Sequence, residues 1–362
     1  MSTRVVIDPL TRIEGHLAVR VEVDNGRVSE AYCSGEMFRG FEQILKGRHP
    51  MDAQQITQRI CGVCPVSHGT ASVFAQEMAY KLTPPTNGRI IRNLVLGANY
   101  IHSHLIHFYH LSALDFIDVA ALLKYTGNDP VLCSLKAWVT NQVTAQTPFP
   151  GAPFLPRYEG AYVPDVDLNC AAVKHYVEAL DMRALAQQSV ALFAGKVPHI
   201  TALVPGGMTD NITANKLVAY LGNLKKLQTF ISECYLPDVV AVAQGFPDYF
   251  AIGKGCNNYL AYGVFPENDD KSAFFLAPGT LINGTQGEVD VARITEDVAN
   301  SLFSSASGLN PADGETVPAP DKTGAYTWLK APRYSGNVME VGPLARIMVA
   351  YASGDAAVKT AV

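Results

Sequence analysis

The sequence predicts an α+β fold in which a core of long helices is flanked by small antiparallel sheets. Three observations carry this. Between residues 65 and 243 apolar residues recur at helical spacing in several long runs. Residues 4–35 alternate apolar and polar. Beyond Phe250 the texture changes to short β-prone runs separated by Gly, Asn and Asp. We read residues 1–362 as a single domain with three segments. They are a sheet-and-helix start (1–58), a helical bundle (59–245) and an irregular α+β end (246–362).

In chain order, Leu17, Val19, Val21 and Val23 alternate before Asp24-Asn25-Gly26, and Val28 and Ala31 follow it, the pattern of a hairpin with a short turn. Residues 38–58 read as helix in pieces, broken at His49-Pro50. Pro65 fits the first turn of a helix that ends near Thr83-Pro84-Pro85. From Asn87 to about Tyr125 the helical period shows apolar residues on more than one face, so this helix is expected to be central and buried. It carries His102, His104, His107 and His110 with Asp115 and Asp118. The histidines drift around the helix, and we read them as core histidines and not as a metal site. Further helices are expected over about 130–147, 169–195 and 212–243. Thr147 to Pro156 reads as rigid irregular chain. Val204-Pro205-Gly206-Gly207-Met208 reads as a turn leading to a helix cap at Thr209 or Asp210. Strands are expected from Tyr259 to Phe265 and from Ala273 to Leu276.

Composition narrows the function classes. Charged residues make up 17% and hydrophobic residues 48%, which points to surface buried against a partner chain. The net charge of −5 and the lack of basic clusters argue against nucleic acid and anionic membranes. Seven cysteines do not make a disulfide framework and fit reduced thiols or metal ligation. The N-terminus has no signal-peptide pattern, and no apolar run is long enough for a membrane helix.

The chemistry concentrates in Arg59-Ile60-Cys61-Gly62-Val63-Cys64-Pro65-Val66-Ser67-His68. Gly62 relieves the turn between the thiols. Both sulfurs fall at or just before a helix N-terminus, where the dipole and the Arg59 charge favour thiolate. A Cys-x-x-Cys pair by itself also suits half a zinc site, a redox pair or a packed turn. The other cysteines, Cys33, Cys133, Cys170, Cys234 and Cys256, are scattered singly and complete no compact zinc set.

This decapeptide resembles the N-terminal metal-binding signature of the [NiFe]-hydrogenase large subunit. Four further stretches resemble the same family in the same order. They are Asp8-Pro9-Leu10-Thr11-Arg12-Ile13-Glu14-Gly15-His16, Phe38-Arg39-Gly40-Phe41-Glu42, Lys330-Ala331-Pro332-Arg333-Tyr334 and Glu340-Val341-Gly342-Pro343-Leu344-Ala345-Arg346. The resemblance implies a nickel–iron centre with carbonyl and cyanide ligands on iron. By position Cys61 binds nickel and Cys64 bridges nickel and iron. His68 and Arg59 support the site from behind, His68 by a hydrogen bond to the bridging sulfur. Glu14 accepts the proton from heterolytic H2 cleavage, and Glu42 holds magnesium or a similar cation. On residue type alone, His68 is a locally packed first-turn histidine, Glu14 a structural partner of Arg12 or Arg59, and Glu42 a surface acid.

Two departures from the family stand out. Ser103 occupies a position lining the pocket where many members carry an acid, and the family's C-terminal Asp-Pro-Cys-x-x-Cys-x-x-His is absent. We therefore expect a truncated stretch of a longer subunit, ahead of a second chain supplying the missing pair or a degenerate relative. The expected function is reversible H2 oxidation, H2 to two protons and two electrons, of the uptake type. An iron–sulfur small subunit is expected to take the electrons, with a higher oligomer of that heterodimer possible. The favoured location is periplasmic or membrane-associated through the partner, with cytoplasmic as the alternative. The rival readings are a non-catalytic scaffold like the corresponding subunit of complex I, a sensor, and a simple zinc- or thiol-binding protein.

Overall fold

The computed structural model describes residues 3–145 and 160–361. The expected irregular stretch Thr147–Pro156 lies outside them. By contact the chain divides into two units, Gln54–Ile252 and a unit made of Met1–Ala53 with Gly253–Val362.

The mixed unit starts with β1 (Thr3–Ile7), β2 (Leu17–Asp24) and β3 (Arg27–Gly35), an antiparallel sheet in the order β1-β2-β3. Asn25 and Gly26 take positive φ, 51° and 74°, the type I′ geometry that matches strand twist and explains the Asn-Gly pair. A bulge at Glu22/Val23 lies next to the turn. α1 (Phe41–Leu45) follows in this unit, and after the break at His49-Pro50, where the sequence places it, α2 (Ala53–Thr57) leads into the helical unit.

The helical unit continues with α3 (Pro65–Tyr80) and α4 (Thr86–Leu105). The single helix expected to Tyr125 is shorter. At Ile106 it widens into a π-helical stretch to Ser112, then tightens into 3₁₀ turns at Ala113–Asp115 and Val119–Lys124. Apolar spacing persists through all of these, so periodicity does not reveal the change of ladder. Next come α5 (Pro130–Ala145) and α6 (Val166–Ala194), with Asp165 capping α6 through Asp167 and Leu168 N–H groups. The short hairpin β4 (Leu203–Val204) and β5 (Gly207–Met208) follows. Then come α7 (Ala214–Phe230), another π-helical stretch and α8 (Leu236–Gly245). The α7 cap is Thr213, not Thr209 or Asp210. Thr209 still belongs to the hairpin, donating its N–H to the Ala202 carbonyl at 2.8 Å, and Asp210 pairs with Lys216 at 2.6 Å. Two apolar clusters hold this unit. One gathers Leu122, Val139, Cys170 and Val173, and the other Leu105, Tyr109, Ala186 and Leu227.

The mixed unit resumes with β6 (Tyr259–Ala261), β7 (Val264–Pro266), β8 (Phe274–Leu276), β9 (Gly279–Ile282), β10 (Thr285–Gly287), β11 (Ile294–Asp297) and β12 (Ala331–Tyr334). They form one three-stranded and two two-stranded antiparallel sheets. The chain ends with α9 (Pro343–Ser353) and α10 (Ala356–Ala361), and α9 packs Ala345 and Val349 onto Tyr259 and Ala261. The α+β class with small antiparallel sheets is the observed architecture.

Candidate metal centre

Cys61 closes a 3₁₀ turn over Gln58–Ile60, and Cys64 is the N-cap of α3, with Pro65 at its first position. Backbone N–H groups of Val63 and Cys64 donate to the Cys61 sulfur at 3.3 and 3.2 Å. The Cys-x-x-Cys loop therefore wraps around its first sulfur and orients it. Both cysteines are half-buried, and neither is in a disulfide. Gly62 does not take a positive φ, and a Cβ there would meet nothing within 4 Å, so the turn does not require glycine for its own packing.

The loop is anchored from beneath by a residue the sequence reading passed over. Gln58 is fully buried (0% exposed), and its amide donates to the Ile200 carbonyl at 3.0 Å and the Gln54 carbonyl at 3.3 Å. Gly69 makes room for it, since a Cβ at 69 would stand 3.2 Å from Gln58 Cγ. His199 also touches this anchor, its ring hydrogen-bonded to the Gln58 carbonyl. Burial, with Arg59 and Lys196 nearby, holds the His199 pKa below its ordinary value. Neither Gln58 nor His199 has a sequence signal, because the partners are more than a hundred residues apart.

Arg59 is exposed and donates to the Gln55 carbonyl at 2.6 Å and to Gln55 Oε1 at 3.2 Å. His68 sits one turn into α3, four residues after Cys64, and is half-buried. The far end of α3 is fixed by a buried ion pair, Glu77 Oε1 to Arg92 Nη2 at 2.7 Å. Arg92 also donates to the Val204 and Gly207 carbonyls at 2.6 and 3.0 Å, and the Gly206 N–H donates to Glu77 at 2.9 Å. Thus α3, α4 and the β4–β5 hairpin meet on one charge pair. On α4, Ser103 is half-buried, His102 is buried, and His104 and His107 are exposed. The histidines therefore do not share one environment, since His102 is buried while His104 and His107 are exposed, in line with the drift around the helix.

Glu14 and Glu42 belong to the mixed unit. Glu14 is exposed on the β1–β2 connection, which is closed by Leu10 N–H to the Leu17 carbonyl at 2.7 Å and Glu36 N–H to the His16 carbonyl at 3.0 Å. Glu42 is exposed in the first turn of α1. That segment is held by Phe38, stacked on Trp328 at 5.0 Å and edge-on to Phe303 at 5.6 Å. Lys330 pairs with Glu296 at 2.9 Å, and Arg333 lies on β12. The structure thus gathers Arg59, Cys61, Cys64 and His68 on one turn of the helical unit.

Among the described residues no group of three or more His, Cys, Asp and Glu side chains converges on a metal position. The donor set on the turn is two adjacent thiols, soft sulfur ligands that fit nickel and iron and supply half of a four-coordinate set.

The sequence profile of the family described as nickel-dependent hydrogenase matches residues 39–362, and a HoxL-like profile matches residues 4–34. The periplasmic [NiFeSe] hydrogenase large subunit of Desulfomicrobium baculatum is 44% identical over 352 residues, covering 96% of this chain and 64% of that protein. The hydrogenase-2 large chain of Escherichia coli K12 is 36% identical over 391 residues, covering 98% and 69%. The crystallised Dm. baculatum [NiFeSe]-hydrogenase superposes with a TM-score of 0.84 at 44% identity, over 96% of this chain and 68% of that one. The chain therefore spans about two thirds of the length of the relatives it matches.

Proposed function

The chain belongs to the nickel-dependent hydrogenase family, and from that premise we propose that it is catalytic large-subunit chain of a [NiFe]-hydrogenase, interconverting H2 with two protons and two electrons. The single observation that supports this most is the Cys61–Cys64 turn at the N-terminus of α3, with its first sulfur ringed by backbone N–H groups. When bound, a nickel–iron centre with carbonyl and cyanide on iron supplies the heterolytic cleavage of H2.

The chain's own residues have distinct tasks in this reading. Cys61 and Cys64 would hold such a centre through their two sulfurs, which would supply soft thiolate ligands to its metals. His68, one helical turn on, hydrogen-bonds toward the Cys64 sulfur and tempers its basicity. Arg59 keeps positive charge beside the turn, and Ser103 contributes a neutral hydroxyl where an acid would add charge. Glu14 takes the proton, a role resting on its place in the Arg12-Ile13-Glu14-Gly15-His16 motif. Glu42 would supply a carboxylate to magnesium or a similar hard cation.

Electrons leave through an iron–sulfur small subunit, for which the share of apolar residues provides support. The sequence around Cys64–His68 favours the uptake direction. The periplasmic assignment of the Dm. baculatum relative favours a periplasmic or membrane-associated complex. No helix among the described residues is long and apolar enough to cross a membrane.

The test is metal content and H2-dependent dye reduction on the natively purified complex, wild type against Cys61→Ser and Cys64→Ser. About one nickel per complex with dye reduction, both lost in each variant, is the expected result. Zinc without nickel would move the chain to the thiol-binding reading. Neither metal nor activity would leave a scaffold.

A further inference from the structure

The helical unit contains a polar seam that the proposed function does not use. α4 and α6 pack side by side. His110, just beyond α4, hydrogen-bonds through Nε2 to the Tyr176 carbonyl of α6 at 3.2 Å. At the other end of α4, Arg92 bonds the 203–208 hairpin, which follows the C-terminal end of α6. The two helices therefore run antiparallel. Stepping eleven residues back from His110 and eleven on from Tyr176 brings Asn99 about level with Gln187. By the same count His102 comes level with Ala184, next to Arg183 in α6, and the Arg183 charge is felt by both His102 and His110.

Within this seam Asn99 is 1% and His102 3% exposed. Both side-chain polar atoms of Asn99, Nδ1 of His102, Oε1 of Gln187 and Nδ1 of His110 are buried, and no described protein group hydrogen-bonds to them. Buried polar atoms are almost always satisfied, by protein or by internal water. Four of these atoms, two on Asn99 and one each on His102 and Gln187, lie on α4 and α6 within about one helical turn of the same level, with the donors and acceptors that water needs; His110 Nδ1 lies further along. Burial, reinforced by Arg183, holds His102 and His110 neutral with pKa values pushed down to about 4, so each ring keeps one acceptor nitrogen at neutral pH.

A second polar group sits next to the seam along the chain. The π-helical stretch Ile106–Ser112 carries Tyr109 and His110, and such breaks in the regular ladder occur at functional sites. Tyr109 donates to Asp238 Oδ2 at 2.8 Å, and Nδ1 of His175, next in the chain to Tyr176, meets the same oxygen at 2.8 Å. The Asp238 and His175 side chains are 12% and 21% exposed, with the exposed acids Glu178 and Glu233 acting on the neighbouring Cys234.

We propose that the α4–α6 seam is an internal water-binding site, and that its waters relay protons between the interior of the helical unit and the surface at Asp238. Asn99, His102, Gln187 and His110 are positioning residues that orient the waters. Each water accepts one proton and passes one on, so no group changes oxidation state. The water site stands on the orphaned atoms alone, whereas the relay rests on the hydrogenase reading.

The experiment is a high-resolution crystal structure of the natively purified complex, wild type and Asn99→Leu. It is joined to nickel content and to the solvent deuterium isotope effect on H2-dependent dye reduction. We expect water density within hydrogen-bonding distance of Asn99 and of His102 Nδ1, lost in Asn99→Leu. Nickel content should be unchanged while turnover falls several-fold with a larger isotope effect. A dry wild-type seam, with Asn99 and His102 turned onto protein partners, overturns the site. Ordered water with turnover and isotope effect unchanged in Asn99→Leu overturns the relay. Wild-type complex without nickel or H2 activity defeats the hydrogenase reading, while the density still decides the water site. Gln187→Leu provides the same comparison should Asn99→Leu fail to fold.

Discussion

The helical unit and the mixed unit secure their functional segments by opposite means. In the helical unit the Cys61–Cys64 turn rests on groups with no access to solvent. These are Gln58 at 0%, Val66 at 1% and Val73 at 0% exposure, with the Glu77–Arg92 pair at the far end of α3. In the mixed unit, Glu14 and Glu42 stand on exposed chain held by a few backbone hydrogen bonds and one aromatic stack. All five residues of β1 are exposed, including Val5, Val6 and Ile7. In the proposed function, the sulfurs that would need a fixed mutual geometry are built on a packed scaffold, and the carboxylates proposed to take a proton or a hydrated cation are displayed on exposed chain. The contrast makes the helical unit the place where single substitutions cost most.

The largest effect is expected at Arg92. Arg92→Ala removes the guanidinium that the buried Glu77 carboxylate faces and frees the Val204 and Gly207 carbonyls. Breaking a buried pair by removing one partner costs about 3–5 kcal/mol. Urea unfolding of the variant should show that loss, and a change below about 1 kcal/mol would remove the pair from the scaffold argument.

An acid limb of intermediate size belongs to the same unit. His102 is 3% exposed with its pKa lowered to about 4. Its folded pKa lies below the unfolded value near 6.5, so between these values the unfolded chain binds the extra proton. Stability is therefore retained above pH 6.5 and lost as pH falls toward 4. His102 alone contributes a loss of about 2 kcal/mol between pH 7 and pH 5. His102→Gln should flatten this limb in urea titrations at the two pH values. An equally steep limb in the variant would assign the loss to other groups.

How much of this was legible in the sequence follows from the range of each interaction. Asn25-Gly26 announces its turn because both residues satisfy a local backbone requirement. The Cys61–Pro65 turn is legible for the same reason, with proline at the first helical position and the sulfurs just before it. The end of α4 was not legible, because the apolar spacing runs on through the π-helical and 3₁₀ turns. The cap of α7 was misplaced because Thr209 is committed to the hairpin and Asp210 to Lys216, and both commitments depend on how the hairpin folds back. Gln58, Gly69 and His199 were invisible for a stronger reason. A glutamine becomes an anchor only when Ile200, far along the chain, brings a carbonyl to it. Motif resemblance pointed to the Cys61–Cys64 turn as the candidate centre, whereas the groups that support that turn required the fold.

The smallest effect sharpens the comparison most. Val6 in β1 is 56% exposed, and Val73 in α3 is 0% exposed. Valine to threonine keeps the shape and β-branching and adds one hydroxyl, so the pair isolates the cost of burying that group. For the chain by itself Val6→Thr should change stability by no more than about 0.5 kcal/mol. Val73→Thr should cost roughly 1–3 kcal/mol unless its hydroxyl finds a helix carbonyl. Thermal unfolding of both variants, in the purified chain and again in the natively purified complex, gives four numbers. Should Val6→Thr become costly only in the complex, the apolar row Val5, Val6 and Ile7 is covered by a partner, and the openness of β1 belongs to the isolated chain. An equal cost for Val6→Thr and Val73→Thr in the chain alone would break the contrast between a packed scaffold and an exposed display.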